Sequence, residues 1–132
     1  MADSFNFELV SPERLLVSAT VTEVVIPGAD GEMTVMAHHA PTMSTIKPGV
    51  VTVVTSEGQT DRYVVFGGFA DIMPEGCTLL AESAVAVGDI DKADLAKRLQ
   101  DAREDYADAS TDGAKQKAQE YLDQLTTLEA AI

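Results

Sequence analysis

The chain changes character at Gly88. Up to that point valine, threonine, glycine and all the prolines dominate. Beyond it there is no proline and one glycine, Gly113, while alanine, aspartate, leucine, lysine and glutamine take over. β-Branched residues favour the pleated backbone, and Ala, Leu, Lys and Gln favour the helix. The switch predicts an α+β chain: a β domain over residues 1–88 and a helical domain over residues 89–132. A length of 132 residues suits one domain with a small appendage.

The first part alternates apolar and polar residues in short runs separated by turn signals. Phe5, Phe7 and Leu9 form one alternating set, Val17, Ala19 and Val21 a second, and Met33, Val35 and Ala37 a third. "PGADG", Pro27 to Gly31, and "KPG", Lys47 to Gly49, read as turns; "SEGQ" reads as a hairpin into "TDRYVVF". Gly67-Gly68 permits a bend or bulge, and "PEG" leads into "CTLLAES" and then "AVAV". The expectation is a two-sheet β-sandwich or flattened barrel of about ten short strands. The chain is 45% hydrophobic but only 5% aromatic with no Trp, so its core must be mostly aliphatic.

In the second part Leu95, Leu99, Ala102, Tyr106 and Ala109 fall on one helical face. Asp91 and Asp94 stand at its start, where acids are favoured. "DASTDG", Asp108 to Gly113, reads as a break. Ala114, Ala118, Tyr121, Leu125, Leu128 and Ile132 then form a heptad-like seam. Two amphipathic helices with a short connection predict an antiparallel two-helix hairpin. Its Ala-rich seam buries little area, so the hairpin is expected to be only marginally attached.

The formal net charge of −13 repels phosphate backbones and anionic lipid heads, which argues against nucleic acid and direct membrane insertion. No apolar run approaches the roughly 20 residues of a spanning helix, and "MADSFNFELV" lacks the pattern of a signal peptide. Cys77 is the only cysteine, which excludes an internal disulfide and suits a reducing compartment. It sits in the apolar run "CTLLA", where a buried, inert thiol is expected.

His38 and His39 are the only histidines. Adjacent residues of a strand point to opposite faces, so the pair is a poor chelate unless the backbone kinks there. Neither G-x-S-x-G nor the G-K-[ST] of a phosphate loop is present. The residues give no case for an enzyme, a metal or a cofactor. Pro41 and Pro48 frame "TMSTIKPG" and hold Ala40 and Lys47 extended, which predicts a rigid connection carrying Met33, Met36, Met43 and Ile46. These side chains suit either a core or an ordered surface that docks a partner.

"ELVSPERLL", "IPGADGE", "HAP…IKPGVV", "FGGFADI" and "LLAESA", in this order and followed by an Ala-rich helical pair, resemble the epsilon subunit of bacterial F-type ATP synthase. Relatives of that family are the chloroplast epsilon and mitochondrial delta subunits. The resemblance spans the whole chain. It implies a non-catalytic central-stalk subunit whose sandwich binds the gamma subunit and sits on the c-ring, peripherally at the cytoplasmic face of the bacterial inner membrane. The stretch matching the family's G-E-x-G…H-A-P region places Gly31, Glu32, His39, Ala40 and Pro41 at the c-ring and gamma interface. Glu32 is expected to face the ring and His39 gamma. The chain departs from the pattern at Thr34, at His38 and at Thr42-Met43.

In many members the hairpin extends along gamma and meets an acidic loop of the catalytic beta subunit, so beta subunits are a third implied partner. In some members the folded hairpin binds ATP through [IL]-D-x-x-R-A. The matching stretch here is "IDKADL": Ile90 and Asp91 agree, Asp94 replaces the arginine and Leu95 the alanine. A carboxylate repels a triphosphate, and the guanidinium contact is lost. From Ala114 onward Lys115 and Lys117 face Glu120, Asp123 and Glu129, a poor balance for meeting an acidic loop. The expectation is that this chain neither binds ATP tightly nor strongly inhibits hydrolysis.

Overall fold

The computed structural model describes residues 3–29 and 31–131. It divides into two compact units, Met1–Gly88 and Asp89–Ile132. The first holds nine strands among the described residues: β1 (Phe5–Ser11), β2 (Arg14–Gly28), β3 (Gly31–Val35), β4 (Thr42–Ile46), β5 (Gly49–Thr55), β6 (Thr60–Val65), β7 (Gly68–Met73), β8 (Gly76–Ala81) and β9 (Ala84–Ala86). The second holds α1 (Lys92–Asp108) and α2 (Asp112–Ala131). The chain is an α+β protein with an N-terminal sandwich and a C-terminal helical hairpin.

The strands are not all short. β2 runs for 15 residues and is the spine of the sandwich. Its first half pairs with β1 from Ser11↔Arg14 to Phe5↔Val21. Its second half lies between β5 and β3, so that Val24 faces both Val53 and Val35. The register slips at Leu9/Val10 and again at Val21/Glu23. Such bulges bend and over-twist a strand, which lets β2 leave one layer and enter the other. The pairing therefore runs unbroken, β1-β8-β7-β4-β2-β5-β6-β9, and closes through β1–β2. The two layers of the sandwich are one continuous ladder folded on itself.

Alternation places Phe7, Leu9, Val21, Val24, Ile26, Ile72 and Leu79 inside, each 0% exposed. Burying such side chains contributes roughly 1.5–3 kcal/mol apiece. Among the described residues no polar or charged side chain is buried, so this core is aliphatic with three phenylalanines.

Several expectations shift in detail. "TMSTI" is strand β4, paired with β7 from Thr42↔Ile72 to Ile46↔Gly68, and not a connection. The prolines at either side bound it because neither can donate to a ladder. Pro27 and Gly28 belong to β2, opposite Glu32 and Gly31. Pro27 is tolerated at the strand's end, where its carbonyl accepts the Lys47 N–H at 3.0 Å. Asp30 of the "PGADG" turn lies outside the described residues. Ala37 falls beyond β3 in a turn, yet packs against the core.

In the hairpin, Asp91 caps α1 by accepting the N–H groups of Ala93 and Asp94. α2 starts at Asp112, with Thr111 Oγ1 accepting the Ala114 N–H at 3.1 Å, so Gly113 lies in its first turn and not in the break. Leu95, Leu99, Ala102, Leu125 and Leu128 are buried. Tyr106 is 40% exposed and Ala114 is exposed, so the apolar seam does not close at the turn end. Ile132, the last seam position, lies outside the described residues.

Candidate functional site

The residues from Gly31 to Pro48 do not form one site. Gly31 and Glu32 open β3 at the β2–β3 hairpin, where Gly28 pairs with both Gly31 and Ile46. Gly31 has a φ of +133°, a conformation that glycine supplies at little cost. Glu32 is exposed beside it. His39, Ala40 and Pro41 precede β4, at the opposite end of that strand. Five residues of strand separate the two groups by roughly 16 Å. The first group shares its end with the Gly67-Gly68 corner, the second with the β7–β8 turn.

The histidine pair sits on a turn and not on a strand. His38 adopts a φ of +65°, the left-handed region, and its N–H donates to the Pro74 carbonyl at 3.0 Å. The kink that chelation requires is thus present, but the ligands are not. His38 Nε2 donates to Asp3 Oδ2 at 3.0 Å, an exposed pair of little energetic weight. His39 Nδ1 donates to the Ala40 carbonyl at 2.8 Å, and the Thr42 hydroxyl donates to the same carbonyl at 3.0 Å. Among the described residues no three His, Cys, Asp or Glu groups could share a metal. Burial, with the nearby Asp71 charge, pushes the Cys77 thiol up to about 12, so the thiolate is not available as a nucleophile near neutral pH.

At the start of α1 the two carboxylates of the degenerate motif are occupied locally. Asp91 caps the helix, and Asp94 pairs with Arg98 one turn on, at 3.5 Å. Ile90 is half-buried.

A larger feature lies on the outer face of β2, β1, β8, β7 and β4. Register places Leu15 opposite Val10, Val10 opposite Leu80, Leu80 opposite Phe69, and Phe69 opposite Thr45. The row crosses five strands. Leu15 is 54%, Leu80 38% and Phe69 42% exposed, and Met43 on the same face reaches 69%. Val10, Phe69 and Leu80 line an open cleft of about 610 Å³ that ends on Gly67 and Gly68. A contiguous apolar patch of this kind marks an interaction surface far more often than scattered exposed residues do.

This fold matches known proteins along its length. The family model described as "ATP synthase, Delta/Epsilon chain, beta-sandwich domain" matches residues 4–87. An ATP synthase epsilon chain of Mesorhizobium japonicum is 73% identical over 132 residues, covering 100% of this chain and 98% of that one. The chain belongs to the ATP synthase epsilon family. An epsilon chain of Rhizobium leguminosarum bv. trifolii is 59% identical over the same 132 residues and coverage of 100% and 98%. Among solved structures, a chain of the Euglena gracilis mitochondrial ATP synthase assembly of OSCP, F1 and c-ring superposes with a TM-score of 0.77 at 28% identity, covering 97% of this chain and 81% of that chain. A chain of the Tetrahymena thermophila mitochondrial ATP synthase shares the fold, with a TM-score of 0.65 at 10% identity and coverage of 96% of each.

As an epsilon chain it is an accessory, non-catalytic subunit of ATP synthase. No helix among the described residues is long and apolar enough to cross a membrane. The sequence does carry a signal for the apolar row that alternation alone passes over: apolar doublets. Leu9-Val10, Leu15-Leu16 and Leu79-Leu80 each put one side chain against the core and leave the other outside. The methionine question also divides. Met33 and Ile46 pack with the core, while Met36 and Met43 are exposed at 56% and 69%.

Proposed function

We propose that this epsilon chain is the rotor-side subunit that joins gamma to the c-ring and so passes c-ring rotation toward ATP synthesis. The observation that carries the docking role is the contiguous, exposed apolar row Leu15–Val10–Leu80–Phe69, a kind of surface that marks an interaction site. Gamma is its occupant. The Euglena chain comes from an assembly of OSCP, F1 and c-ring, which supports a peripheral position for this chain in such an assembly; in our reading that position is at the cytoplasmic face of the bacterial inner membrane. Glu32 and Gly31, at the hairpin end, meet the ring, while His39, Ala40 and Pro41, at the other end, lie toward gamma. The stiff body that torque transfer needs is supplied by the closed ladder, in which β1, β8, β7, β4 and β2 leave no unpaired edge between them.

The docking face is tested by exchanging Phe69→Ser and Leu80→Ser together and following co-elution with gamma. Both side chains are exposed, so the fold survives, and the expected result is loss of the stable complex. Co-elution equal to the parent chain's is the opposite result and removes the row from the interface.

The helical unit is not a nucleotide-dependent brake. Asp91 and Asp94 are committed to α1, and no arginine follows Arg103. Deleting residues 89–132 is expected to leave ATP hydrolysis by the complex little changed, and calorimetry of the isolated chain with Mg-ATP is expected to show no micromolar binding. Strong activation on deletion, or a micromolar complex, contradicts this reading.

A further inference from the structure

We infer that the docking face carries a collar of uncompensated carboxylates along its Glu8–Asp71 flank and therefore selects an apolar ridge with lysine or arginine side chains on that side, with one apolar side chain of that ridge entering the cleft beside Gly67 and Gly68. The inference rests on the docking reading above and adds the chemistry of the surface that must fit it.

Two residues along each strand from the apolar row, register aligns Glu8 opposite Thr78, Thr78 opposite Asp71, and Asp71 opposite Met43. Side chains repeat on one face every two residues, so Glu8 and Asp71 lie on the same outer face and border the row on one flank. Glu82 borders it on the other, lining the cleft with Leu80 and Phe69. Arg14, beside Glu13 and Glu82, is the only Lys or Arg in β1, β4, β7, β8 and the first half of β2. The apolar row is thus bordered on one flank by Glu8 and Asp71 with no cation beside them, and on the other by Glu82 together with Arg14 and, two residues beyond Thr45, Lys47. A partner without cations would strip water from Glu8 and Asp71 and return nothing, whereas Lys or Arg facing that flank offsets the desolvation. At a net charge of −13 the chain also repels any acidic surface during approach.

Two corner glycines form the end of the cleft. Gly67 and Gly68 have φ of +115° and +130°. A Cβ on Gly67 would meet a Glu82 carboxylate oxygen at 3.3 Å, and one on Gly68 would meet the Leu80 carbonyl oxygen at 2.0 Å. The floor is therefore bare backbone, with Phe69 and Leu80 as apolar walls and Glu82 at the lip. Such a trough accepts a side chain laid against the main chain.

The test measures association and dissociation of full-length chain and the gamma subunit of the same synthase at low and high salt. Glu8→Lys with Asp71→Lys reverses both charges of the anionic flank, and Glu8→Gln with Asp71→Asn neutralises them. The Lys pair is expected to slow association about tenfold at low salt, the neutral pair by less, and both differences to shrink as salt shortens the screening length below about 10 Å. Equal association rates for parent and Lys pair at low salt overturn the collar. Leu80→Ser, run beside them, is expected to speed dissociation. If the charge pairs are silent while Leu80→Ser dissociates faster, the collar falls and the docking face stands. If Leu80→Ser binds as the parent does, the docking reading itself falls. A circular dichroism spectrum matching the parent's is required of each variant, so that a lost complex reports the surface and not the fold.

Discussion

Replacing Gly68 by alanine is expected to cost about 4 kcal/mol of sandwich stability, enough to leave most of the β7–β8 ladder open. Two effects combine. The φ of +130° is strained for any L side chain, and the new methyl group would lie 2.0 Å from the Leu80 carbonyl oxygen and 2.9 Å from the Ala81 Cα. Both obstacles are backbone, so no rotamer change relieves them. Gly68 pairs with Ile46 on one side and Ala81 on the other, and parting the strands there releases both ladders. Gly58 is the control: its φ is +87° but nothing lies within 4 Å of a Cβ, so its alanine variant carries backbone strain alone. Hydrogen exchange of the β7 and β8 amides separates the two. Equal protection in both variants would show that the close approach at Gly68 is relieved elsewhere.

Phe7→Ala is expected to cost about 3–5 kcal/mol, through lost transfer energy and the cavity it leaves. Phe7 is 0% exposed and lies between Ala19 of β2 and Cys77 of β8. Those neighbours are small, and the ladder on both sides prevents collapse into the space. In urea the unfolding midpoint of the sandwich should fall by roughly 2 M for a slope near 2 kcal/mol per M. Met43→Ala, at a side chain 69% exposed, should stay within about 0.5 kcal/mol of the parent. A Phe7 variant with the parent's midpoint would mean that β1 is not an integral wall of the core.

Much of this was legible in the residues. The change at Gly88 coincides with the end of the last strand and the 3₁₀ turn Val87–Asp89 before α1. Phe5, Phe7 and Leu9 are buried in the alternating order in which they occur. Asp91 caps the helix it precedes. These readings rest on local chemistry, and a period of two, a capping carboxylate or a run of helix formers acts within a few residues. β4 was less legible because the prolines around "TMSTI" also mark connections, and only pairing with β7 makes it a strand. The turn at His38 was left open by the residues because it depends on a hydrogen bond to Pro74, far along the chain.

The interaction surface depended on tertiary structure most of all. Val10, Leu15, Phe69 and Leu80 are scattered over 71 positions of sequence, and the doublets that hold Val10, Leu15 and Leu80 do not say which member faces out. Pairing between strands decides that, and the slip at Leu9/Val10 is what brings Leu15 opposite Val10, since a shift of one residue exchanges the two faces of a strand. Sequence by itself determined the domain order, the aliphatic core, the family and the loss of the nucleotide motif at Asp94. Tertiary structure alone decided that Gly31-Glu32 and His39–Pro41 stand at opposite ends of the sandwich, and that an apolar row bordered by Glu8, Asp71 and Glu82 spans its outer face. The first set depends on which residues are present, and the second on register, which is set between strands and not within them.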